Sequence, residues 1–266
     1  MKQFKNSHWP IIFAGVFCTL GFSVASATDN EGADRQEDSQ DGYKWGVGVG
    51  ANLKKSLYKG ISTDNSYLPV VSFESKYVRL FGNVVDLKLP SVGPLDFSLR
   101  AKASLGGGYQ ASKSSYLTGM QSRKGAIFVG AATTWDAGFA DISFDYLADV
   151  SGNSKGSELQ LGIEHSFNFE RKFQVTPHAS IVRQDAKLVD YYYGVRASEA
   201  TTTRPEYRGK STTETEFGVR FGYLMTPKQK LLVDVSDEHF GSGITNSPIV
   251  DKKTTPKFLL GYLYSF

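Results

Sequence analysis

FLLGYLYSF, residues 258–266, places Phe258, Leu260, Tyr262, Tyr264 and Phe266 on one parity of a period-two pattern. Successive side chains of a β-strand point to opposite faces, so these five residues share a face. A terminal phenylalanine preceded by alternating aromatics is similar to the signal read by the machinery that assembles barrels into the outer membrane of Gram-negative bacteria. Tyr262, Tyr264 and Phe266 are therefore the expected assembly signal. In a soluble protein the last residue is usually frayed and polar instead.

The same alternation recurs upstream. Trp45, Val47, Val49, Ala51 and Leu53 alternate with Gly46, Gly48, Gly50 and Asn52. Leu95, Phe97, Leu99 and Ala101 alternate with Asp96, Ser98, Arg100 and Lys102. Similar segments run through 140–146, 158–167, 172–181, 216–223 and 230–236. No apolar run long enough for a spanning helix follows the first 27 residues. Lipid cannot hydrogen-bond a backbone, so a spanning sheet must close on itself, with its apolar set toward lipid and its polar set toward the lumen. The polar set here carries both signs. Arg100, Lys102, Lys172, Arg220 and Lys230 stand against Asp141, Asp145, Glu158, Glu164, Glu216 and Asp234, which predicts a lumen that pairs internally.

The fold expected is all-β, a closed antiparallel transmembrane β-barrel over residues 42–266. Weaker alternation at 67–75 and 125–135 adds two strands. Within 78–89 the apolar parity switches from Val78 and Leu80 to Val85, Leu87 and Leu89 across Gly82-Asn83. Without a break there the count is eleven, and two periplasmic termini require an even number. Splitting at Gly82-Asn83 gives about 12 strands, with ten the alternative. Links at 226–229, 168–172 and 136–138 are short and expected in the periplasm. Links at 240–255, 184–212, 149–156 and 110–124 are longer and expected outside.

Residues 1–27 read as a signal peptide: Lys2 and Lys5, an apolar run from Trp9 to Phe22, then Ala25-Ser26-Ala27. The single cysteine, Cys18, lies within it, so the expected mature chain has no disulfide or thiol chemistry. Residues 28–41, TDNEGADRQEDSQD, hold six acids and one arginine, the composition of an acidic disordered leader. Net charge is +3 for the whole chain and +1 without the two signal-peptide lysines. That balance gives no case for nucleic-acid binding.

The remaining chemistry is sparse. His165, His178 and His239 fall in no metal-ligand spacing, and no cofactor motif is present. His178-Ala179-Ser180 is similar to the H-x-S of outer-membrane lipid A deacylases, since a strand sets His and Ser on one face. Its parity points both residues into the lumen, away from lipid, and no orienting acid is identifiable in the sequence. A non-enzymatic protein is expected.

Two loop stretches stand out. One holds Tyr191, Tyr192, Tyr193 and Gly194, followed by Glu199. The other holds Ser247, Pro248, Ile249 and Val250. A triple tyrosine fits an aromatic girdle at the membrane interface, or an exposed patch that meets a partner. With Trp45 to Ala51, Tyr58-Lys59-Gly60, Leu68-Pro69, Gly119-Met120, Arg123-Lys124-Gly125 and the closing GYLYSF, these stretches resemble the MipA/OmpV family of outer-membrane proteins over roughly 43–266. One departure is GNVVDLKL at 82–89, where a Gly-rich strand would be expected.

The resemblance implies an integral outer-membrane protein surrounded by outer-membrane lipid and inserted by the barrel assembly machinery. It further implies a scaffold that joins a murein lytic transglycosylase to a penicillin-binding synthase. A small-solute porin or a surface adhesin is the alternative.

Overall fold

The computed structural model describes residues 43–104 and 108–266, so the expected signal peptide and acidic leader lie outside the described residues. In chain order the strands are β1 (Lys44–Lys54), β2 (Ser66–Glu74), β3 (Val78–Phe81), β4 (Val84–Lys88), β5 (Leu95–Ala103), β6 (Ile127–Asp136), β7 (Asp141–Asp149), β8 (Ser157–Glu164), β9 (Phe167–Phe169), β10 (Phe173–Gln184), β11 (Thr212–Thr226), β12 (Gln229–Phe240) and β13 (Thr254–Ser265). Two short helices, α1 (Ala186–Tyr193) and α2 (Ser242–Thr245), lie in the outer links. Every lateral pairing is antiparallel, and β13 pairs with β1 to close the wall.

β8 and β9 form one barrel strand. Glu164 pairs with His178 and Phe167 with Val175 in the same frame. The ladder lapses between them opposite Pro177, which has no N–H to give; His165 N still donates to the Pro177 carbonyl at 3.3 Å. The wall therefore has twelve strands, as the split at Gly82-Asn83 predicts. Gly82 turns the β3–β4 hairpin with φ +58°, a conformation that disfavours a side chain.

That hairpin is short. Its turn reaches only to Val71, whose carbonyl accepts from Gly82 N at 3.0 Å. Above it, among the described residues, β2 pairs with β1 alone. By alternation Pro69 turns its backbone to the same unpaired side as Val71, so its missing N–H removes no ladder bond.

The parity assignments hold around the wall. Trp45, Val47, Val49, Leu99, Phe144, Leu161, Phe217 and Phe221 are all exposed on the outer face, where lipid would cover them. Arg100, Lys102, Asp145, Glu158, Glu164, Glu216 and Arg220 are buried in the lumen. Lys172 is the exception: it sits exposed in the turn before β10, not on the luminal face. Links at 75–77, 89–94, 137–140, 170–172 and 227–228 form the periplasmic end. Links at 55–65, 108–126, 150–156, 185–211 and 241–253 form the outer end. The asymmetry in their lengths is that of an outer-membrane barrel.

Candidate functional site

The outer links do not wave in solvent. They fold together into a lid with a core of its own, formed by Leu57, Tyr58, Tyr109, Leu117, Met120, Val189, Val195, Ile244, Ile249 and Val250. Burial of such side chains is the main attraction between loops that are far apart in sequence. α1 supplies Val189 to this core and packs Leu188 and Tyr192 in a second cluster with Ala126, Phe128 and Leu147, and Asp185 caps its start by accepting from Leu188 N at 2.8 Å. Gly194 ends it where a Cβ would stand 2.3 Å from the Asp190 carbonyl, so that position demands glycine.

Polar contacts stitch the lid, and they fall on the stretches singled out in the sequence. Tyr58 Oη donates to the Tyr192 carbonyl at 3.3 Å, and Ser247 Oγ donates to the Tyr193 carbonyl at 2.6 Å. Arg123 Nε donates to the Tyr191 carbonyl at 2.7 Å. Lys59 N reaches the Ile249 carbonyl at 2.9 Å. Tyr191, Tyr192 and Tyr193 thus receive one bond each from three different links. The expectation of a membrane girdle or an exposed patch is corrected here. Tyr192 is buried with its hydroxyl on the Lys124 carbonyl, Tyr191 and Tyr193 are partly buried, and Ser247, Ile249 and Val250 are buried. Backbone carbonyls closed off from solvent need such partners, which is why the tyrosines turn inward.

Glu199 is the polar centre of the lid, and its side chain is 3% exposed. It accepts from Arg123 Nη2 at 3.0 Å, Gln121 N at 2.9 Å and Arg196 N at 3.1 Å. Burial works to raise its pKa, but the Arg123 hydrogen bond and the two backbone N–H groups outweigh it and hold the carboxyl below its ordinary value. Beside it Arg204 donates to the carbonyls of Glu199, Thr118 and Tyr116. Tyr109 packs edge-on against Tyr58. Burial drives its hydroxyl up to about 12, although the nearby Arg123 pulls the other way.

Below the lid the lumen is lined by ion pairs. Arg100 bridges Asp86 at 2.7 Å and Asp145 at 2.6 Å. Lys102 pairs with Glu158. Arg220 lies between Glu164 at 3.3 Å and Asp234 at 3.4 Å. Lys257 joins Glu216 at 2.6 Å and Glu238 at 2.9 Å, and Lys54 adds to Glu238 at 3.5 Å. These contacts tie second-neighbour strands along the wall: Arg100 on β5 reaches Asp145 on β7 past β6, and Arg220 on β11 reaches Glu164 on β8 past β10. A lumen of opposite charges that pairs internally is what the alternation predicted.

His178 and Ser180 both face the lumen, as their parity requires. One expectation is corrected. An acid does stand beside His178: its Nε2 lies 2.9 Å from Asp234 Oδ2, joining residues 56 positions apart. Its other ring nitrogen, Nδ1, has no hydrogen-bond partner, so no serine hydroxyl is poised on the imidazole. His178, Glu216 and Asp234 offer ligand atoms within 4.8 Å of one another. However, Lys257 and Arg220 already neutralise the two carboxylates, and a metal ion would have to displace them.

A family model described as MltA-interacting protein MipA matches residues 47–266. The outer membrane protein Omp26La of Vibrio anguillarum is 24% identical over 211 residues, covering 78% of this chain and 81% of that protein. OmpV of Vibrio cholerae is 24% identical over 219 residues with the same coverages. The putative outer membrane protein YiaT of Escherichia coli O157:H7 is 22% identical over 222 residues, covering 83% and 90%. Among solved structures, the NanC porin aligns over 82% of this chain and 98% of its own, at 11% identity and a TM-score of 0.42.

Proposed function

Because the chain belongs to the MltA-interacting protein MipA family, we propose that this outer-membrane barrel is a non-conducting, non-enzymatic scaffold linking the membrane to peptidoglycan-remodelling enzymes, a murein lytic transglycosylase and a penicillin-binding synthase. The observation that carries the reading is the folded lid at the outer end of the barrel. This loop lid has an apolar core of its own, and ion pairs between second-neighbour strands line the lumen beneath it. Solute flux needs a continuous wet path, and the lid stands at its outer end. A barrel that does not conduct is left to act through its surfaces.

The family description supports a periplasmic partner, and the topology limits where that partner would bind. The periplasmic turns are short, and β1 begins at the periplasmic end. The acidic stretch 28–41, which precedes β1 in sequence, is then the longest periplasmic element. The test is in-cell cross-linking followed by identification of periplasmic partners, with and without residues 28–41. Recovery of a lytic transglycosylase that depends on those residues is expected. Steady openings of the unmodified barrel in planar bilayers would replace this reading with a solute channel. Binding to host matrix without any periplasmic partner would replace it with an adhesin.

A further inference from the structure

Just beneath the lid one buried carboxylate differs from its neighbours. Glu214 faces inward near the outer end of β11 and is 8% exposed. Glu158, Glu216 and Glu238 each contact a lysine. Glu214 has no ion pair among the described residues, and its Oε1 has no hydrogen-bond partner. Lys54 and Lys257 are near enough to act on its charge, but each makes its ion pair with Glu238.

Two other inward-facing polar side chains nearby also have an unpartnered oxygen. Gln184 lies on β10 diagonal to Glu214, since Val182 pairs with Glu214 and Gln184 with Thr212, and its Oε1 is also unpartnered. Thr255 is fully buried on β13, directly across from Glu238, and its Oγ1 has no partner. Buried polar atoms are ordinarily satisfied, so several orphans facing one space mark a place where something else supplies the bonds. The roof is aromatic. Tyr193 stacks on Tyr58 with ring centroids 5.7 Å apart. Burial, then the carboxylates of Glu214 and Glu238, push the Tyr193 hydroxyl well above its ordinary value.

We propose that the outer end of the lumen, where these residues of β10, β11 and β13 face inward beneath the lid, is a binding site for a small organic amine in its protonated form, with Glu214 as the counter-ion and Gln184 and Thr255 as hydrogen-bond acceptors. The vacant atoms are two acceptors and one hydroxyl, and their complement is a cation rich in donors. A bare metal ion fits less well. Glu214 does not belong to the one group of acids and histidines among the described residues whose ligand atoms converge within 4.8 Å, and a hard divalent ion needs several oxygens at a single point.

The test is calorimetric titration of the full-length barrel in detergent with putrescine, with calcium chloride and potassium chloride as separate arms. Saturable putrescine binding is expected. It should weaken by about tenfold or more in Glu214→Gln, the effect of losing one charge-assisted hydrogen bond. Glu206→Gln alters an exposed carboxylate that pairs only with Arg208 and should bind as the unaltered protein does. Gln184→Leu keeps the charge and should weaken binding more modestly. It also carries the test if Glu214→Gln does not refold to the heat-modifiable form. No saturable binding, equal binding by the unaltered protein and whichever luminal variant refolds, or calcium that saturates the site while putrescine cannot compete, would each overturn the proposal.

Discussion

Glu199 shows how much one side chain can hold. Its carboxylate gathers Arg123 and two backbone N–H groups from separate parts of the lid. Its pKa is held below the ordinary value, so the stabilisation is fully present above the unfolded-state pKa of about 4.3. It is lost as pH falls from there through the folded value. Hydrogen exchange of amides in 110–124 and 186–200 should therefore rise as pH is lowered through that window, after correction for intrinsic rates. Glu199→Gln leaves Arg123 buried without a counter-charge. It should cost the lid about 1–3 kcal/mol of local stability and flatten that pH response, while the barrel remains heat-modifiable. Unchanged loop protection in the variant would mean that the apolar core alone holds the lid. Residues 220 and 221 test the parity of the wall in the same way. Phe221 is exposed on the outer face and Arg220 is buried between Glu164 and Asp234. Phe221→Arg should destabilise the barrel by about 2–4 kcal/mol if it lies near mid-bilayer. Arg220→Phe should still insert, but with lower stability because two luminal acids lose their cation. Denaturant unfolding in lipid measures both.

At the scale of elements, the strands were legible and the lid was not. Alternation is a local property. Tyr262, Tyr264 and Phe266 could be assigned to one face from three residues of context, and they do run along β13 beside β1, with Tyr264 paired to Val47. The parity switch at Gly82-Asn83 revealed the short hairpin for the same reason. Arg123 and Glu199 are 76 positions apart, and no period or spacing announces such a pair. The tyrosines at 191–193 were conspicuous, yet their burial depends on three other links folding over them. His178 and Asp234 meet only because β10, β11 and β12 adjoin in the wall. The last strand carries a prediction of its own. Phe266 N donates to the Trp45 carbonyl at 2.9 Å, and its ring packs edge-on against Tyr264. Phe266→Asp removes an apolar side chain from the seam where the barrel closes. Membrane insertion should slow, with protease-sensitive chain accumulating in the periplasm. Normal levels of heat-modifiable barrel would show that the seam does not need it.

For the whole molecule the proposed scaffold role turns on whether the lid or the luminal ion pairs would keep the barrel from conducting. The lid and the ion pairs are separate structures, so they can be removed separately. Replacing 185–211 with a short turn takes away α1, Glu199 and the carbonyls that receive Tyr58, Arg123 and Ser247. The ion pairs below should survive, because Arg100 and Arg220 reach second-neighbour strands of the wall that the deletion does not remove. Luminal pairs this buried are only weakly screened, so raising the salt concentration should not open them either. The lid deletion alone is therefore expected to give brief, low-amplitude events in planar bilayers. Adding Arg100→Ala and Arg220→Ala removes the bridges and leaves Asp86, Asp145, Glu164 and Asp234 facing a wetter lumen. Steady openings selective for cations should then appear, since the remaining charge is acidic. If the lid deletion by itself gave full, steady conductance, the ion pairs would line a path and not block it, and the barrel would be a gated channel with the lid as its gate. If the arginine changes opened the barrel with the lid intact, the lid would be porous and its tyrosine core would have no sealing role.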